Sequence, residues 1–187
     1  MNQTQPQLPT VAQNIVNAFA VIRGQAQMNN SFVFSPQGFW QALFAGWMIG
    51  VFVVILPSFQ MGVHFLLSLA LTSLVASLFY ALAVWHVMFW SGKGSRYLKF
   101  MLPYLWISNL QIVLFGLIMI IGQFTGAVLA QIATIPIVIW ILVWLYRTAR
   151  DQTGMGGFAA LGFLAGRFAI EAGLGMLAAG GLVASMG

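Results

Sequence analysis

WSGKGSRYLKF, residues 90–100, places Lys93, Arg96 and Lys99 between two stretches that are almost wholly apolar. The pattern recurs further on, where Arg147, Arg150 and Asp151 follow another apolar stretch, and Arg23 stands before the first of them. The apolar runs cover roughly 39–56 (closed by Pro57), 63–90, 101–121, 127–146 and 158–186. Each reaches the ~20 residues a helix needs to cross ~30 Å of hydrocarbon. A helix satisfies its backbone within one segment, and these runs lack the polar–apolar alternation of strands. The spacing therefore predicts an all-α integral membrane protein with five transmembrane helices.

The links between the runs alternate in character. Residues 58–62 and 122–126 carry no charge, while the other two links carry nearly all of it. Lys and Arg concentrate in cytoplasmic loops, so five crossings with the N-terminus inside put every charged link on the cytoplasmic side and the C-terminus outside. Trp40, Trp85, Trp90, Trp106, Trp140 and Trp144 then fall in the cytoplasmic half, with Tyr97, Tyr104 and Tyr146 near them; Trp47 lies nearer mid-membrane. A one-sided aromatic belt fits the preference of amphipathic rings for the headgroup level. The expected location is the cytoplasmic (inner) membrane of a prokaryote, as a multi-pass protein.

Composition narrows the function classes. Soluble domains carry about a quarter charged residues; this chain has 5%, against 61% hydrophobic. The net charge of +5 is dispersed between apolar runs and forms no basic face, so the expected partner is the lipid bilayer and not nucleic acid. With no cysteine, thiol catalysis, disulfides and thiolate metal sites are excluded. MNQTQPQLPT lacks a basic segment followed by an apolar core, so no cleaved signal peptide is expected. Residues 1–33 read as an N-terminal segment and 34–187 as a single transmembrane domain. Within the first, Val11, Ile15, Phe19 and Ile22 recur at helical spacing with Val16 beside them, and Gln13, Asn14, Asn17 and Arg23 occupy much of the rest. Pro9–Thr10 marks a start and Asn29–Asn30 a stop. The helix reads either as amphipathic and interfacial or as a lead-in packed beneath the bundle.

Catalytic groups are scarce. His64 and His86 are 22 residues apart on one span, ~33 Å along a helix, too far to share a metal. No phosphate-binding glycine loop and no carboxylate pair is present, since Asp151 sits in a link and Glu171 in a span. The expectation is a non-enzyme without metal or cofactor.

Arg167 and Glu171 stand out. Four residues apart, they share a face of the fifth helix and are spaced to pair. Ionisable groups deep in a span tend to face the bundle interior or a wet cavity. Ser108, Asn109 and Gln111 lie at a similar depth in the third span, which predicts a polar pocket between spans three and five, open to the cytoplasm. The competing reading starts the fifth span near Arg167, whose side chain then snorkels to the headgroups with Glu171 as a local partner. Small residues supply a second signal: Ala42, Gly46 and Gly50 on the first span, and Gly162 with Gly166 and Ala165, Ala169 and Gly173 on the fifth. Such rows let helix backbones approach closely, either between the first and fifth spans or against a second copy or another subunit. Gln131, Thr134 and Pro136 predict a local kink in the fourth span.

The short N-terminal segment, Phe34-Ser35-Pro36 leading to Phe39 and Trp40, and five crossings ending outside resemble the bacterial branch of the Yip1 family. That resemblance covers most of the chain as a layout. It implies a five-span organiser or assembly partner without an assigned reaction, and it carries no catalytic residues over. In size and in the Ala42/Gly46/Gly50 row the chain also resembles the substrate-binding components of vitamin uptake systems, usually six-span proteins. Two functions follow as expectations. The first is a non-enzymatic accessory or scaffold protein packed against itself or other membrane subunits. The second is a small-solute-binding subunit or transporter using the polar pocket.

Overall fold

Where the chain is apolar it is helical. The computed structural model describes residues 9–58 and 63–185, and their side chains except those of 54–58, 64, 65, 125, 127 and 177–185. Most of the uncharged 58–62 link, the His64 side chain and the end of the fifth apolar run lie outside the described residues. The helices are α1 (Val11–Ile22), the single turn α2 (Met28–Ser31), α3 (Pro36–Ser58), α4 (Val63–Trp90), α5 (Tyr97–Thr125), α6 (Ala127–Thr153) and α7 (Gly157–Ser185); a 3-10 turn, Gly94–Arg96, precedes α5. No strand occurs among the described residues. Four stretches are long and apolar enough to cross a bilayer: Leu66–Trp90, Gly94–Phe124, Val128–Thr153 and Gly157–Met176. The uncharged link after α5 shrinks to Gly126, whose φ of 96° is open to glycine and strained for other residues. α6 runs on through Pro136, and Thr134 Oγ1 donates to the carbonyl of Ala130 at 2.8 Å.

Neighbours around the bundle run α3, α5, α6, α7, α4 and back to α3, with α1 against the outside of α5. Among the described residues the expected packing of the first span on the fifth is not a principal contact, because α4 stands between α3 and α7. The small residues of α3 serve α5 instead. Asn109 on α5 donates through Nδ2 to the Ala42 carbonyl at 2.7 Å, and a Cβ on Gly46 would collide with Asn109 Oδ1. A side-chain amide tying two helix backbones together suits lipid, where packing and hydrogen bonds drive association.

Packing is uneven along the helices. Buried side chains concentrate in the halves next to the charged links: Phe39 and Leu43, Val84 and Met88, Phe100 to Leu110, Ile141 and Leu145, Ala160 and Phe163. At the other end Leu67, Leu71, Ile120, Phe124, Ile132 and Ile135 are exposed. Both charged links lie at the tightly packed end: Gly154 backs onto the Arg96 guanidinium, and Ser91 Oγ donates to Met155 Sδ at 3.7 Å. Arg147 and Arg150 lie over the rings of Trp144 and Tyr146 at 5.2 and 6.0 Å.

Of the aromatic residues expected at the headgroup level, Trp40, Trp85 and Trp90 are exposed. Trp106 and Tyr104 are not. Both are fully buried on the inner length of α5, Trp106 beneath Asn14 and Gln41 and Tyr104 among other rings. α1 begins where expected, with Thr10 and Gln13 exchanging side-chain and backbone bonds in a capping box. It stops at Ile22, well before Asn29, because Gly24 turns the chain at φ 71°. Its buried face is Asn14, Ala18, Val21 and Ile22, held by Asn14 Nδ2 donating to Gln41 Oε1 at 3.4 Å and to the Pro9 carbonyl at 3.3 Å. Val11, Val16 and Phe19 are left facing outward.

Candidate functional site

Ten residues into α7, ~15 Å from its start, Arg167 points into the bundle. Its Nε donates to Glu171 Oε1 at 2.8 Å, its Nη1 donates to Ser108 Oγ, and its guanidinium lies 5.5 Å from the centre of the Tyr104 ring. The helix begins at Gly157, so Arg167 is not at a helix end. Its contacts run inward, to Ser108 and the Tyr104 ring. The side chain is 23% exposed and that of Glu171 47%, so the pair reaches from a packed wall to an open one.

These residues border a cavity of about 260 Å³ among α3, α4, α5 and α7. Ser108, Asn109, Arg167 and Glu171 all line it, as the sequence predicts for the third and fifth spans. Gln111 does not. Helical geometry turns it roughly a quarter-turn off the lining face of α5, and it sits half-buried elsewhere. Gly46 and Gly50 form part of the α3 wall, while Gly162, Gly166 and Gly173 stand outside it with open space around them.

The mouth is not where the sequence places it. Toward the charged links the bundle is sealed by Ala81, Val84, Met88, Phe100 and Met101, all buried. Phe100 joins Tyr104 and Phe163 in ring contacts at 5.2 and 5.4 Å, which fill that end with rigid bulk. On the cavity's other side Leu69, Ser73, Glu171 and Gly175 are exposed. The cavity therefore opens away from the charged links.

Sequence reading missed the wall contributed by α4. Thr72, Ser73, Ser77 and Tyr80 line the cavity from one face of that helix, and their three- and four-residue spacing in an apolar run was the available signal. Ser73 Oγ and Ser77 Oγ donate to the carbonyls of Ala70 and Ser73 at 2.9 Å each, leaving their oxygen lone pairs free to accept. Trp47 Nε1 donates to the Ala70 carbonyl at 2.8 Å and ties α3 to α4 at the cavity's edge.

Two tyrosines close the floor. Tyr80 is 5% exposed and Tyr104 not at all, their rings stack at 5.4 Å, and neither hydroxyl has a hydrogen-bond partner among the described residues. An unmet buried hydroxyl costs about 1–3 kcal/mol, so Tyr104→Phe is expected to leave the melting temperature of the empty protein unchanged or raised. A thermal melt in detergent checks this.

Searches against protein-family models, curated proteins and solved structures return no match. The site is therefore read from its own geometry. It offers a fixed cation, a fixed anion one turn away and an apolar remainder from Leu43, Leu69, Leu105 and Ile112. Among the described residues that line it, no nucleophile stands beside a general base.

Proposed function

We propose that this chain is an integral membrane protein of five crossings, α3 to α7, that binds a small polar solute in the cavity among α3, α4, α5 and α7, as a binding subunit or small transporter. The observation that carries the reading is the Arg167–Glu171 pair turned inward at mid-helix onto Ser108 and Tyr104, beside a cavity of about 260 Å³. Ionisable groups at such depth are expensive to keep in lipid and are retained where they serve a pathway or ligand. In this reading the charged links face the cytoplasm of a prokaryotic cell and the cavity opens toward the outer side. No reaction is assigned.

The test is native mass spectrometry after gentle extraction by an N-terminal tag. A monomer or homo-oligomer that retains a small molecule, lost in Arg167→Leu, supports the proposal. A defined complex with other membrane subunits and no ligand favours the accessory or scaffold reading, as in the Yip1-like layout. That second reading has one observation behind it: Gly162, Ala165, Ala169 and Gly173 are exposed along α7, a row of small side chains on its outer face.

Topology is tested separately. The chain has no cysteine, so single replacements report without background. With a membrane-impermeant maleimide on intact cells, Ser95→Cys is expected to stay unlabelled until the membrane is opened, and Gln123→Cys to label at once. The reverse pattern inverts the orientation, and equal labelling of both overturns the crossing count.

A further inference from the structure

We infer that the occupant of this cavity is a compact zwitterion with an apolar body, its acidic oxygens toward Arg167 and its ammonium toward Glu171. The inference rests on the solute-binding reading above and names the ligand class for that site. Three observations converge on it.

The first is the cation itself. Arg167 is turned inward at mid-helix beside the cavity, with its Nη1 on Ser108 Oγ and its guanidinium against the Tyr104 ring. A carboxylate has two oxygens, each able to take more than one bond. A guanidinium matches a carboxylate's planar geometry, which an ammonium does not.

The second is charge balance. Arg167 and Glu171 neutralise one another at 2.8 Å. A simple anion arriving at Arg167 would compete with Glu171 and leave the site with a surplus negative charge. A simple cation at Glu171 would do the converse. A ligand carrying both charges exchanges one internal pair for two outer pairs and keeps the site neutral, which is the arrangement that a poorly solvated interior tolerates. Glu171 is the more exposed partner and stands on the mouth side of Arg167, so it is placed to turn toward an entering ammonium.

The third is the shape of the remaining space. Beyond the charged floor the walls are Leu43, Leu69, Leu105 and Ile112. The volume of about 260 Å³ falls just below the range of ~300–1,000 Å³ of drug-sized sites. An α-amino acid with an aliphatic side chain has this pattern, with both charges at one end and hydrocarbon at the other. A phosphoethanolamine headgroup carries the same two charges and is the lipid source of the same chemistry.

The experiment measures binding to the purified full chain in nanodiscs of phosphatidylglycerol, by calorimetry and thermal melt. The probes are L-alanine, L-leucine and L-phenylalanine, with N-acetyl-L-leucine as the anion-only control and L-leucine methyl ester as the cation-only control. A parallel set of nanodiscs contains phosphatidylethanolamine. The expected result is saturable binding of at least one free amino acid, weaker by about tenfold or more for both single-charge derivatives. Loss of amino-acid binding specifically in phosphatidylethanolamine, restored by omitting that lipid, supports the zwitterion and makes the headgroup its source. N-acetyl-L-leucine binding as tightly as L-leucine, in an Arg167-dependent way, overturns the zwitterion while leaving a solute site. No binding by any probe in either lipid, with no ligand retained on extraction, overturns both.

Discussion

Arg167→Leu alone is expected to abolish solute retention and to destabilise the bundle by about 1–3 kcal/mol, whereas Arg167→Leu with Glu171→Leu abolishes retention at little cost in stability. The reasoning starts from what the single change leaves behind. Glu171 loses the Nε bond at 2.8 Å, and Ser108 loses the donor from α7. A carboxylate without its partner in a lipid-clad helix is penalised, and breaking such a pair from one side typically costs more than the pair contributes. The upper end of the buried range, ~3–5 kcal/mol, does not apply, because the Glu171 side chain is 47% exposed. Removing both charges takes away the penalty and the ligand's anchors together. Melting curves of the four forms, run beside native mass spectra, separate the two effects. A double variant that retains its ligand and folds normally sinks the site. Arg167→Lys is a sharper control: it keeps the charge, yet an ammonium cannot span Glu171 and Ser108 as the planar guanidinium does.

Gly46→Ala is expected to cost about 1–2 kcal/mol, in line with interhelical hydrogen bonds in membranes, and Gly46→Leu to prevent accumulation of folded protein. The added Cβ meets Asn109 Oδ1, and Asn109 is buried and held by its bond to the Ala42 carbonyl, so the amide must leave that bond to make room. Nothing lies within 4 Å of a Cβ at Gly50 or Gly162, so alanine at those positions leaves the melting temperature unchanged. Combining Gly46→Ala with Asn109→Ala supplies the missing space, and the pair is expected to be less destabilising than the sum of the single changes. Full additivity in this double-mutant cycle would show that the two residues do not meet.

Much of this was legible in the chain itself. The five apolar runs become α3 to α7, because hydrophobic length and the exclusion of charge are properties of single segments. The candidate pair and its distant partners were legible for a related reason: Arg167, Glu171, Ser108 and Asn109 are polar where polarity is costly, and depth along each helix follows from counting residues. What could not be counted was rotation and neighbourhood. Gln111 has the right depth and the wrong azimuth. Gly46 was correctly read as a close-approach position, but its partner is α5, since the order of helices around a bundle depends on side-chain fit and not on hydropathy. Tyr104 and Trp106 were assigned to the headgroup level by residue type, while in the structure Tyr104 is buried among the rings of Tyr80 and Phe100 and Trp106 beside Asn14 and Gln41. The direction of the mouth followed from the seal toward the charged links, which depends on the joint packing of four helices.

The uneven packing has a mechanical consequence. Among the described side chains the grip lies in the ring layer at Phe100 and Phe163. For helices held mainly at one end, leverage makes the displacement from any rotation about that layer grow with distance along the helix, and the Trp47 bond to the Ala70 carbonyl at the cavity's edge opposes it.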